Sequence, residues 1–227
     1  MGETTTQSDI VALVASLAGR LGFVTEARRG PVPLARCLDE FNLLHVTLPR
    51  LRRADIGEYL LGEGITPGNV MDAGNAEDLF AGFLFTTGPD GLVFVGATEA
   101  DASEKGQPPK FRPSPLGRRR FTVAHELGHF LLHRERMIAG RWLGDTKETI
   151  REAGEESIAT MEREANQFAV ELLMPENLCR QRAEEFKKRY KLKVCPRQPF
   201  AYHLASELLV SSEAMRYRLK NLGIGDE

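Results

Sequence analysis

The sequence predicts an α+β fold: a small, mainly antiparallel sheet, a helix carrying a His-Glu-x-x-His motif, and a C-terminal helical segment loosely like a helix-turn-helix. Three observations lead there. Apolar residues recur at helical spacing near the N-terminus and again through the last third of the chain. Between them lie two Phe- and Val-rich runs joined by Gly88-Pro89-Asp90-Gly91, a turn sequence. No internal repeat interrupts this order. With 227 residues and 42% apolar content, the chain can bury a core, which excludes general disorder.

Ile10, Leu13, Val14, Leu17, Ala18 and Leu21 fall on one helical face, and Gly22 supplies a stop. Pro33 opens a second short helix to about residue 41, because its fixed φ suits a first helical position. Residues 43–51 partly alternate and read as a strand, with Pro49 placing its end at a sheet edge. Residues 54–78 hold five glycines and little periodicity, and read as irregular. Residues 79–87 and 92–98 are the clearest strands. A Lys-, Pro- and Ser-rich connection follows over 101–117, then a helix over 118–134 with Thr122 as its N-cap. Residues 135–154, with the single tryptophan Trp142, read as a loop. Helices are expected over 155–174, 176–190 and 200–222, the last interrupted near Ser211. The expected division is 1–175 for a catalytic domain and 176–227 for a basic helical segment, packed together or apart.

Thirty basic and 32 acidic residues give a net charge of −2, so nucleic-acid binding would need a local patch. Three cysteines, an odd number without metal-ligand spacing, make no disulfide framework and are read as packing residues. No run reaches about 18 uninterrupted apolar residues, so no spanning helix is expected. The N-terminal apolar stretch has neither a basic flank nor a cleavage site, which makes the cytoplasm the expected compartment.

The chemistry centres on His125-Glu126-Leu127-Gly128-His129. Only five histidines occur in the chain, so two in this pattern carry weight. Residues four apart on a helix are about 40° apart around the axis, so both rings face one way. Two neutral imidazole nitrogens on one face suit a borderline-soft ion such as Zn²⁺. Glu126 lies beside that face, where it can take a proton from water without coordinating. The bland alternative is a helix with two ordinary surface histidines.

A catalytic zinc site wants three protein ligands. The metzincin positions for a glycine and a third histidine hold Leu132 and Glu135 instead. His133, eight residues from His125, would stand about 12 Å along the axis, so it reads as a supporting or packing residue. A carboxylate from the 155–174 helix is the better candidate. Ile158, Met161, Ala165, Phe168, Ala169 and Leu172 form its apolar stripe, and Glu162 and Asn166 lie together beside it. Packed against the first helix, Glu162 could reach the metal while Asn166 hydrogen-bonds a ligand. Glu164, about 200° around from Glu162, reads as a solvated residue.

The blocks Arg120-Phe121-Thr122-Val123-Ala124-His125-Glu126-Leu127-Gly128-His129, Glu162-Arg163-Glu164-Ala165-Asn166-Gln167-Phe168-Ala169 and Leu172-Leu173-Met174-Pro175 together resemble the ImmA/IrrE family of metallopeptidases. The resemblance is firm over 118–175 and implies a gluzincin-like endopeptidase with one Zn²⁺ per chain. It implies His125, His129 and Glu162 as ligands and Glu126 as general base. It further implies that the protein partner is a helix-turn-helix transcriptional repressor, cleaved to release stress-response or mobile-element genes. Larger members carry a further C-terminal sensor domain, which this length is not expected to hold. Two alternatives stand beside this: a regulatory protein that binds a repressor or DNA without cutting, and a peptidase of a toxin–antitoxin or phage-defence system.

Candidate donors to the transition state are His133, Arg134, Tyr202, His203 and Tyr217, which the sequence does not rank. The Phe-rich hairpin can offer an edge strand to an extended substrate or simply build core. Residues 180–197 hold eight basic and two acidic residues, and a following helix with Arg216, Arg218 and Lys220 could meet phosphates. Direct DNA binding is nonetheless the less favoured use of this segment. Arg118-Arg119-Arg120, at a helix N-terminus, opposes the dipole and is expected to pair with carboxylates.

Overall fold

A computed structural model describes residues 5–23, 29–67, 75–86, 88–97, 115–136 and 155–226. Of the connection expected over 101–117 and the loop expected over 135–154, residues 115–117 and 135–136 are helical instead, as the ends of one helix, and the rest lies outside the described residues. In order, the elements are α1 (Gln7–Arg20), α2 (Leu34–Asp39), β1 (Leu43–Leu48), α3 (Arg53–Gly62), β2 (Gly82–Thr86) and β3 (Gly91–Gly96). Five helices or parts of helices follow: α4 (Pro115–Arg136), α5 (Glu155–Leu173), α6 (Glu176–Tyr190), α7 (Arg197–Leu208) and α8 (Ser212–Asn221). The class is α+β. The chain divides into two compact units. One comprises Met1–Thr4, Leu38–Pro109 and His125–Asn166, the other Thr5–Cys37, Lys110–Ala124 and Gln167–Glu227.

In the first unit, the three strands lie in the order β1-β3-β2. The β2–β3 hairpin is antiparallel, with Phe83 opposite Phe94. β1 runs parallel to β3, with Leu43 opposite Gly91 and Leu48 opposite Gly96. The sheet is therefore mixed, which corrects the expectation of a mainly antiparallel one. The reason is the connection: α3 intervenes after β1, so the hairpin returns its second strand alongside β1 in the same sense. Gly91 sits where all three strands meet; a Cβ there would lie 2.8 Å from the Phe85 carbonyl oxygen and 3.0 Å from Leu43. Val46, Leu51, Ile56, Leu60, Phe83 and Phe94 form the core under the sheet.

α3 overturns the irregular reading over 54–62, while 63–67 and 75–78 are irregular as expected. Asp55, in its first turn, accepts hydrogen bonds from the Arg52 backbone N–H and guanidinium. Ile56 and Leu60, one turn apart, are fully buried. Those two apolar contacts outweigh the glycines that flank them.

In the second unit, Thr6 and Asp9 cap α1 reciprocally, each accepting from the other's backbone N–H. α4 begins at Pro115, so Thr122 is an interior helical residue and not the N-cap. Proline at the first helical position starts the helix three residues before the expected 118. Gly117 lets that first turn approach the chain between α7 and α8, for a Cβ there would stand 2.6 Å from the Ser211 backbone nitrogen. Arg120 donates to the Val32 carbonyl oxygen at 2.8 Å, so its described partner is a carbonyl where a carboxylate was expected.

α7 ends at Leu209 in the left-handed conformation, and Ser211 caps α8 by accepting from the Ala214 N–H. Arg218 does not face outward to phosphates. It is buried, donating to the Glu171 carboxylate at 2.7 Å and to the Met174 carbonyl at 3.0 Å. Arg182 is likewise buried between Glu207 and Glu185. All three cysteines are buried, in keeping with packing roles. Among the described residues, no helix is long and apolar enough to cross a membrane.

Candidate metal centre

α4 carries His125 and His129 one turn apart, with rings 4.5 Å between centroids and nearly perpendicular. Their Nε2 atoms point at the same spot and stand 2.9 Å from each other. α5 brings Glu162 to that spot: one carboxylate oxygen lies 3.3 Å from His125 Nε2 and the other 3.1 Å from His129 Nε2. His129 is buried, whereas the Glu162 side chain keeps 34% of its exposure, so the cluster opens to solvent on that side.

The donor set fits a tetrahedral divalent ion. Two ring nitrogens facing each other can share only one proton, yet both also face a carboxylate. Bonds of about 2.0–2.1 Å in a tetrahedron place ligand atoms roughly 3.3–3.4 Å apart, close to the spacings here. His125, His129 and Glu162 are thus a candidate metal-binding triad.

The electrostatics of the cluster agree with its crowding. Burial alone would raise the Glu162 carboxyl, but hydrogen bonding to His125 and His129 outweighs it and holds the pKa far below its ordinary value. Burial works against a charged His125; Glu162, Glu126 and Asn166 overcome it and raise the ring's pKa. Glu126 is 8% exposed, and burial pushes its pKa up against the pull of His129 and His125. A carboxyl raised in this way is a better proton acceptor near neutrality than an ordinary glutamate.

Behind each histidine stands a partner for the other ring nitrogen. Asn166 Oδ1 lies 3.1 Å from His125 Nδ1. His133 Nδ1 lies 3.2 Å from His129 Nδ1, and His133 Nε2 lies 2.9 Å from Glu164 Oε2. Glu164 is therefore no solvated residue: it is 6% exposed and paired with a buried histidine. The signal was present in the sequence. Glu162 and Glu164 flank the two edges of one apolar stripe, Glu164 falling about 40° beyond Phe168. A residue at either edge can still meet the neighbouring helix.

Of the other candidate donors, Arg134 stacks over the Phe130 ring at 5.4 Å. The second unit carries His203, packed against Phe186, and the exposed Tyr202 and Tyr217.

Helix, histidine pair and distal carboxylate together form the arrangement used by metallopeptidases of the HExxH type. Residues 112–220 match the family described as Peptidase M78, the IrrE N-terminal-like domain. That match over just under half of the chain supports an ImmA/IrrE family metallopeptidase. No curated protein matches the sequence significantly.

Proposed function

We propose that this protein is a cytoplasmic, zinc-dependent endopeptidase that cleaves a helix-turn-helix transcriptional repressor and so releases stress-response or mobile-element genes. The observation that carries the peptidase chemistry is the convergence of His125, His129 and Glu162 beside the buried Glu126. The repressor as substrate rests on the family resemblance of the sequence.

His125, His129 and Glu162 would hold the ion. When bound, zinc supplies Lewis-acid chemistry, making water more acidic and a carbonyl more electrophilic. Glu126 takes the proton of the attacking water and returns it to the leaving amine, a role suited to its raised pKa. Asn166 orients His125, keeping the Nε2 lone pair on the cluster. β2, an edge strand among the described residues, offers main-chain groups to an extended substrate segment.

The test is incubation of the zinc-loaded protein with candidate helix-turn-helix repressors from the same genome, any neighbouring one first, followed by mass spectrometry. A fragment that disappears with chelator is expected. Glu126→Gln should retain zinc and lose about 10²–10⁴-fold in cleavage rate. Undiminished cleavage by that variant would remove Glu126 from the mechanism.

A further inference from the structure

Glu164 and His133 belong to no ligand set, yet both are buried and joined to a candidate ligand through hydrogen-bonding atoms. Their donor and acceptor roles follow by elimination. For His129 to offer a lone pair at Nε2, its proton must sit on Nδ1. That proton faces His133 Nδ1, which must then be the acceptor and carry none. His133 is left with its proton on Nε2, and that atom faces the Glu164 carboxylate, an acceptor, at 2.9 Å. The opposite assignment would place a proton on His129 Nε2 and aim it into the cluster.

We propose that Glu164 is a positioning residue that, through His133, locks His129 in the tautomer able to bind the metal. The inference rests on the zinc site proposed above and extends it by two residues. It also accounts for the two flanks of α5: Glu162 meets the ion directly, while Glu164 braces the rear of the ligand on α4. His125 has a neutral brace in Asn166; His129, the more buried of the two, has a histidine–carboxylate pair. Partners of this kind orient metal-ligating rings and raise their basicity, and losing one typically costs about 10–100-fold in metal affinity.

Two readouts test this. Zinc dissociation constants come from competition with a chromophoric chelator, and the ring protonation of His133 comes from nitrogen shifts in ¹⁵N-histidine-labelled protein. Glu164→Ala should weaken zinc binding by about 10–100-fold. Glu164→Gln, whose amide oxygen still accepts from His133 Nε2, should stay near the wild type. The wild-type His133 ring should carry its proton on Nε2. Zinc affinity unchanged in a folded Glu164→Ala protein, equal losses in the Ala and Gln variants, or a His133 proton on Nδ1 would each overturn the proposal. The NMR arm needs no variant, so a misfolded Glu164→Ala leaves the proposal exposed to refutation. A wild-type protein that binds no zinc would refute the peptidase reading, while the His133 tautomer would still decide the relay.

Discussion

Glu162 and Glu164 sit two residues apart on one helix and have different environments. The first is partly exposed and shared between two histidines; the second is buried against a third. Arg218 shows the same dependence on surroundings. A basic residue on the second helix of a helix-turn-helix-like pair suggests phosphate contact, but here its guanidinium is sequestered by Glu171 and Met174. Removing one member of a buried pair leaves the other charge uncompensated, which costs more than the pair contributes. Arg218→Met should therefore destabilise the fold by about 3–5 kcal/mol, measured by urea unfolding of the full chain. A loss within the ±0.5 kcal/mol typical of surface substitutions would place Arg218 outside the core network.

At the scale of elements, helix positions were legible wherever an apolar stripe exceeded three turns, as in α1, α5 and α6. α3 was not, because two buried apolar side chains, Ile56 and Leu60, in a ten-residue helix make too little periodicity to stand out from nearby glycines. The start of α4 was placed three residues late for a related reason: Pro115 to Arg120 carry no apolar repeat. What holds that turn is tertiary, the close approach of Gly117 to the Val210-Ser211 backbone. Gly117→Ala forces a methyl against main chain that has no rotamer to yield. Thermal unfolding should show a loss of about 1–3 kcal/mol. An Ala variant as stable as the wild type would mean that the turn shifts freely.

At the scale of the whole molecule, the basic run over 180–197 reads differently once its partners are known. Arg180 meets Glu176 and the Leu222 carbonyl, Arg182 meets Glu185 and Glu207, and Arg197 meets the carbonyls of Ile224 and Gly225. Much of the apparent patch is consumed in holding helices and the C-terminal residues together, which no composition could reveal. The motif itself was legible, since HExxH and Glu162 depend only on spacing; the brace behind His129 depends on which flank of α5 meets α4.

The cluster also sets how stability varies with pH. His125 and Glu126 have pKa values raised above their ordinary 6.5 and 4.5, so their contributions are full below those values and fade as pH rises. Glu162, lowered below 4.5, contributes above that pH and loses its contribution on acidification. In metal-free protein the melting temperature should fall as pH rises above the ordinary histidine value of 6.5. Zinc, which needs deprotonated ligands, should raise it more in that range than below it. A zinc-induced shift that shrinks with rising pH would contradict these protonation states.

The central claim is a metal held by His125, His129 and Glu162 beside a base that does not coordinate. Zinc affinity of three purified proteins, read by chelator competition, tests it most directly. The wild type and Glu126→Gln should bind one zinc with equal affinity, and Glu162→Ala should lose it at moderate chelator. Zinc retained by Glu162→Ala, or lost by Glu126→Gln, would contradict the assignment of ligand and base.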